Sequence, residues 1–428
     1  VSAPTPPTAL RRELGVFAAS GLGLGSILGT GVFVGLGLVA GVAGAGVLPA
    51  VFLAGLLAVA NGLSSAQLAA AHPVAGGTYE YGYRLLSPSA GFAAGTAFLL
   101  AKSASAATAA LAIAGHVLTA FGGSDELWSR VAVGLAVLAI TGRIAAAGVR
   151  LGAAVNGLLV AFTALVLLCV SVVALTSGRV GLADPATFER MTPRNLLHGT
   201  ALAFVAFTGY GRIATLGEEV REPRRTIPRA IGTALFVSFA LYALVAAGAL
   251  QALGPVEFHD ATVRTGAPLE AVVEAAGWPG LRYLVATAAL TAMAAVLLNL
   301  QLGLSRVALA MARRGDLPRG LAHIEAVTSS PARATWAVTV LIGGLTALGS
   351  VSVAWSFSAF TVLVYYGITN AAALRLGPAD RFAPRAASWF GLGGCALVAI
   401  FVEPRIAAFG MGALLGALAL RALLRRSG

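Results

Sequence analysis

Apolar runs of about 20 residues follow one another along this chain, separated by short polar breaks. They lie near 15–41, 46–71, 89–121, 127–147, 149–177, 195–218, 229–253, 280–312, 334–351, 353–375, 387–402 and 405–424. As helix, each is long enough to cross a hydrocarbon core roughly 30 Å thick. The pattern therefore predicts an all-α membrane protein with twelve transmembrane helices. One polar stretch has a helical period of its own. In "DATVRTGAPLEAVVEAAGWPG" (260–280), Leu269, Val272, Val273 and Ala276 share a face that Glu270 and Glu274 avoid. That spacing fits an outer lid helix or a surface helix lying on the bundle.

Two of the runs are interrupted at their centres, the first at "GSILGTG" (25–31) and the sixth at "FTGYG" (207–211). Each glycine weakens a helix interior by about 1 kcal/mol relative to alanine, so both places are primed to unwind. Unwound backbone at membrane depth is tolerated only inside protein or around a cavity. Breaks at corresponding places in two halves of a membrane chain point to a transporter's binding site. The expected organisation is a first five-helix repeat over 14–177, a second over 195–375, and two accessory helices over 386–425. Residues 1–13, "VSAPTPPTALRRE", are rich in Pro and Thr and no small-residue cleavage site follows the first apolar run, so they read as a tail rather than a signal peptide.

Composition sharpens this picture. Of 428 residues, 58% are hydrophobic and 11% charged, and the mean hydropathy is +0.87, far from an ordinary soluble domain. A net charge of +12 raises nucleic acid as a partner, but the basic residues form no solvated stripe beside stacking aromatics. With both termini cytoplasmic, most of the 29 basic residues fall in inner loops and tails, as orientation in the inner membrane requires. Cys169 and Cys395 lie in apolar runs without paired spacing or a nearby His, which argues against a zinc site. No Asp lies within an expected span, and neither HExxH nor GxSxG occurs, so no enzymatic chemistry and no cofactor is expected.

A helix that unwinds mid-membrane bares N–H groups on one side and carbonyls on the other. The N–H groups near Thr30 and Gly31 suit a carboxylate, and the carbonyls from Val205 to Thr208 suit an ammonium. A zwitterion satisfies both. The alternative is that the small residues only let helices approach closely.

The stretches "GSILGTGVF" (25–33), "HPVAGGTYEYGYRLL" (72–86), "FVAFTGYGRIATLGEEVREPRRTIPRAI" (204–231) and "SRVALAMARRGDLP" (305–318) resemble the amino acid-polyamine-organocation (APC) superfamily, and within it the bacterial permeases similar to cationic amino acid transporters. The resemblance spans most of the chain. It implies the LeuT fold, with substrate between the broken first and sixth helices. By the matching motif positions, Thr30 and Gly31 would meet the carboxylate and Ser26, Ile27, Leu28 and Gly29 would shape the turn. Carbonyls of Val205, Ala206 and Thr208 would meet the amine beside Gly209, and Phe204, Phe207 and Tyr210 would border or gate the side-chain pocket.

Lys102 is the only lysine in the chain. It sits about 14 residues, or roughly 20 Å, from the inner end of its span, too deep for its stem to reach water. Ionisable residues at such depth usually face a bundle interior and serve function, so Lys102 is expected to couple transport to protons or to touch substrate, with a structural contact to a carbonyl as the alternative. Some relatives that this chain resembles carry a lysine in the fifth span in place of a sodium ion; here the matched position is Thr163. A sodium site near Thr163 and Asn299 is the alternative, and a packing role for Thr163 a simpler one. Arg212, just past the second break, reads as an inner gate or a structural pair, with an acidic substrate as the other option, and Glu218 and Glu219 further on read as a latch of that gate or as solvated carboxylates.

The function this supports is secondary active transport of an amino acid across the cytoplasmic membrane, coupled to protons, with sodium coupling as an alternative. An exchanger or a polyamine carrier is the nearest other reading. A channel needs a continuous polar pore, for which these spans have few groups, and a nutrient sensor would bind substrate without moving it.

Overall fold

The computed structural model describes residues 14–72, 76–120, 126–148, 152–178, 188, 191–214, 220–325 and 328–426. These residues are helical throughout, apart from turns and one isolated parallel bridge between Leu14 and Val220. Eight helical segments are long and apolar enough to cross a membrane.

The first run holds two helical pieces. Helix α1 (Val16–Ile27) stops at Leu28, whose φ of −76° and ψ of 86° leave the helical region. The chain resumes with a π-wound turn (Gly31–Gly35) that passes into α2 (Leu36–Ala43). Then come α3 (Val47–Ala71), the short amphipathic α4 (Thr78–Leu85), α5 (Pro88–Ala120), α6 (Leu127–Ala146) and α7 (Ala153–Leu175). The sixth run is also divided. Helix α8 (Pro193–Phe207) gives way to a 3₁₀ turn over Thr208–Tyr210 and then to α9 (Gly211–Ala214). Thr192 caps α8 by accepting from the Asn195 N–H at 3.2 Å, with Pro193 at the first helical position.

Helix α10 (Pro223–Thr265) is kinked at Gly254, where φ is 74°, just before Pro255. The kink falls where the apolar run was expected to end, near 253. Beyond it the chain forms α11 (Pro268–Ala275), with Leu269, Val272 and Val273 buried. The face expected from spacing alone is thus the buried one. Helices α12 (Arg282–Arg313), α13 (Ala332–Thr346), α14 (Val351–Ala373), α15 (Arg385–Ile400) and α16 (Pro404–Arg426) complete the chain.

Alanine and serine explain why α5 occupies the middle. Its most apolar window is 83% buried, against 11% for α16. Ala97, Ala101, Ala104 and Ala107 have no exposed surface, and such small side chains let α12 and α14 approach α5 closely. At the periphery Leu158, Ile140, Ile400 and Phe409 are more than 60% exposed. A belt of exposed large apolar side chains on a helical bundle is what lipid tails solvate.

Candidate functional site

The two interrupted runs meet. A Cβ on Gly209 would stand 2.3 Å from the Ser26 carbonyl oxygen, and one on Gly31 would stand 2.8 Å from the Ala206 Cα. Backbone therefore rests on backbone at both places, which only glycine permits. Tyr242 of α10 pins the crossing, its hydroxyl reaching the carbonyls of Ile27 (2.8 Å) and Ala206 (3.1 Å). Asn156 of α7 ties down the preceding turn by donating to the Gly21 carbonyl at 2.8 Å. Trp355 of α14 donates from Nε1 to the Leu202 carbonyl at 3.0 Å.

A small chamber lies at this crossing, lined by Ser26, Ile27, Thr30, Gly31, Lys102, Ser105, Val205, Ala206, Thr208, Gly209, Val296, Leu300 and Trp355. It adjoins a larger cavity of about 110 Å³ that shares Ser26, Lys102, Thr208, Gly209, Val296 and Leu300 and adds Phe98, Asn299, Gly303, Arg306, Val307, Arg212 and Gly76. The larger cavity extends toward the end of the bundle that carries α4.

Lys102 stands in both walls. Its Nζ donates to Thr208 Oγ1 at 2.7 Å and to the Thr208 carbonyl at 3.4 Å. Thr208 Oγ1 in turn donates to the Val205 carbonyl at 2.7 Å, and the Tyr366 hydroxyl adds a second donor to the Thr208 carbonyl at 3.3 Å. Each carbonyl that sequence reasoning assigned to an ammonium thus has a donor from the protein: Val205 from Thr208, Ala206 from Tyr242, Thr208 from Lys102 and Tyr366. In the same lining the Thr30 hydroxyl is buried and has no hydrogen-bond partner among the described residues. Ser26 directs its own hydroxyl back to the Leu22 carbonyl at 3.0 Å.

The remaining expected residues divide. Asn299 and Arg212 line the larger cavity, and Arg212 makes further polar contacts of its own. Gly29 packs on Val296, and Leu28 is buried. Phe204 and Tyr210 stack around Tyr366 at 5.5 and 5.4 Å between ring centroids, and Phe207 packs on Tyr242 at 5.0 Å. These aromatic rings stand behind the breaks, among side chains that do not line the chamber. Thr163 is buried on α7 and is absent from both linings. Glu218 and Glu219 lie outside the described residues.

The ends of the bundle are held differently. Beside α4, Glu80 accepts from Arg314 Nε at 3.0 Å and Nη2 at 2.5 Å, and those bonds raise the Arg314 pKa. Asp316 accepts from Arg421 Nε at 2.7 Å, from the Tyr79 hydroxyl at 2.9 Å and from the Tyr83 hydroxyl. Burial, followed by the bond to Asp316, pushes the Tyr79 phenol well above its ordinary range. At the opposite end His116 Nδ1 meets Glu270 of α11 at 2.7 Å, and Arg130 donates to the carbonyls of Val263 and Arg264 at the end of α10.

The model of the family described as amino acid permease matches residues 20–408. The chain belongs to the amino acid permease family. The resemblance read from its four motifs is thereby established, and its relatives are transporters, not enzymes. The permease is 40% identical to an uncharacterized transporter of Mycobacterium tuberculosis over 92% of this chain and 87% of that one. It is 28% identical to the vacuolar cationic amino acid transporter 4 of Arabidopsis thaliana, over 79% of this chain and 59% of that one. It is also 28% identical to the branched-chain amino acid permease BcaP of Bacillus subtilis, over 81% and 78%. The crystal structure of a mutant manganese transporter from Eremococcus coleocola shares the fold, with a TM-score of 0.62 at 11% identity, covering 99% of this chain and 96% of that one.

Sequence reasoning missed several contributors to the permease's central site. Tyr242, Trp355, Phe98 and Ser105 come from apolar spans with no glycine break to draw notice. The one available signal was a polar tip on a large side chain within an apolar run, since a buried Tyr or Trp needs a partner for its O–H or N–H.

Proposed function

We propose that this permease is a secondary active transporter that moves an amino acid across the cytoplasmic membrane by alternating access, with a proton as the coupling ion. The carrying observation is the position of Lys102, which reaches from α5 to the interrupted sixth run and donates to both the hydroxyl and the carbonyl of Thr208. On this reading the shorter helices pair with or join the eight longer segments to make twelve spans. The fold is the LeuT arrangement, with inverted repeats over 14–177 and 195–375 and accessory helices over 386–425. Both termini are cytoplasmic, so the cavity leading toward α4 opens inward and α11 covers the outer side.

The physical argument starts from the chamber. Donors gather around Thr30 and Gly31, where a half-helix begins, and they suit a substrate carboxylate. Lys102 sits between that end and the carbonyls of α8. Charged, it holds the break through charge-assisted bonds to Thr208; deprotonated, it keeps N–H donors but loses the charge that strengthens those bonds. A bond that depends on the proton at one crossing of two half-helices links protonation to the geometry of the substrate chamber. Alternating access then follows as one helical bundle rocks against the other around this crossing. Arg212 belongs to the inner gate.

Uptake of labelled amino acids into proteoliposomes under an imposed proton or sodium gradient tests this. Uphill accumulation driven by the proton gradient is expected, with no requirement for sodium. Sodium-driven uptake would move the coupling role from Lys102 to a site near Asn299. Absence of accumulation or exchange of any amino acid would overturn transport itself.

A further inference from the structure

The central chamber brings a cation close to neutral acceptors only. Among the described residues lining the chamber and its adjoining cavity there is no Asp or Glu. Lys102 is 7% exposed, and the bonds at its Nζ go to the hydroxyl and carbonyl of Thr208. The same chamber is lined by Thr30, whose residue is 4% exposed and whose hydroxyl has no hydrogen-bond partner among the described residues, at the start of the half-helix that begins at Gly31. A buried ammonium that no carboxylate neutralises is costly; loss of its proton, which the coupling reading uses, removes that cost, and so does a ligand that brings the missing charge while the proton stays.

From this we infer that the substrate is an amino acid with a second carboxylate, whose side-chain carboxylate pairs with Lys102 while its α-carboxylate meets Thr30 and the amides near Gly31. The assignment rests on the transport reading above and gives it a substrate class. A cationic side chain would meet the Lys102 ammonium with no acid to offset it, at a cost of like-charge repulsion in a site of low dielectric. A branched apolar side chain would leave Lys102 buried and unpaired. Relatives named for cationic or branched-chain amino acids are 28% identical to this permease, a distance at which one side chain in the chamber is free to reset selectivity.

The test compares labelled L-aspartate, L-glutamate, L-leucine and L-arginine in proteoliposomes of the full chain under an inward proton gradient. Aspartate or glutamate is expected to enter at least tenfold faster than leucine or arginine at equal low concentration. Lys102→Met should abolish that preference, with acidic uptake falling at least tenfold further than leucine uptake, while an unchanged melting temperature reports a folded carrier. Lys102→Arg should keep the acidic preference. If leucine or arginine is the preferred substrate and proton coupling persists, the inference falls and the transport reading stands. Should Lys102→Met inactivate uptake of every substrate, the wild-type preference alone decides. No transport of any of the four by the wild type would overturn both.

Discussion

The centre of the permease and its α4 end use similar charged side chains to opposite ends. Beside α4, Arg314 meets Glu80 and Arg421 meets Asp316, and two tyrosine hydroxyls complete the Asp316 shell. There the protein neutralises its own charges. In the centre Lys102 meets only the hydroxyl and carbonyl of Thr208. The first arrangement ties α4 to the chain after α12 and to α16; the second, on the proposed reading, keeps a charge for a mobile partner. Removing one partner from a satisfied buried pair strands the other charge, whereas an ionisable group without a counter-charge at such depth is a candidate for function.

This contrast can be broken most severely at Asp316, which is fully buried as a side chain beside an Arg421 only 9% exposed. Asp316→Asn strands that guanidinium, and the unfolding free energy of the purified protein is expected to fall by about 3–5 kcal/mol. An unchanged denaturation profile would mean that the cluster does not hold the helices. Gly209→Ala comes next, because its Cβ would press on the Ser26 carbonyl. A loss of about 1–3 kcal/mol is expected, with uptake falling more than stability does because the crossing itself is displaced. Uptake that survives intact would deny the crossing a role.

Lys102→Met sharpens the comparison from the other side. Removing a charge that the protein leaves without a carboxylate should change stability by less than about 1 kcal/mol, or raise it, even as acidic uptake is lost. Marked destabilisation would show that Lys102 belongs with the structural charges after all. The smallest effect is expected for Glu80→Gln. Arg314 is 39% exposed and still reaches water, so a cost of about 1 kcal/mol or less is expected in the same denaturation assay.

How much of this was legible in the sequence depends on the range of the interaction. The helical runs were read from apolar length, and most ends agree to within a few residues. The buried face of Leu269, Val272 and Val273 came from spacing within a single helix. Both breaks were legible because glycine acts locally, through the backbone it weakens. The partners across the breaks were not. Tyr242 and Trp355 reach residues 215 and 153 positions away, and nothing in their own spans names those partners. The motif "RRGDLP" was visible, yet that its Asp316 meets Arg421, 105 residues on, was not. The aromatic residues of "FVAFTGY" were expected at the pocket, but their rings pack against Tyr366 and Tyr242, since side-chain direction follows from neighbours that periodicity does not name.

The sequence by itself determined that this protein is a bundle of apolar helices, that two of its runs are weakened near their centres, and that its one lysine lies deep within an apolar run. Those are consequences of hydropathy, backbone propensity and length, which act along the chain. Only the tertiary structure decided that the weak points touch, that Lys102 reaches Thr208 and that Thr163 stands apart. These depend on which helix faces meet, and the packing that selects those faces is a property of all the helices at once.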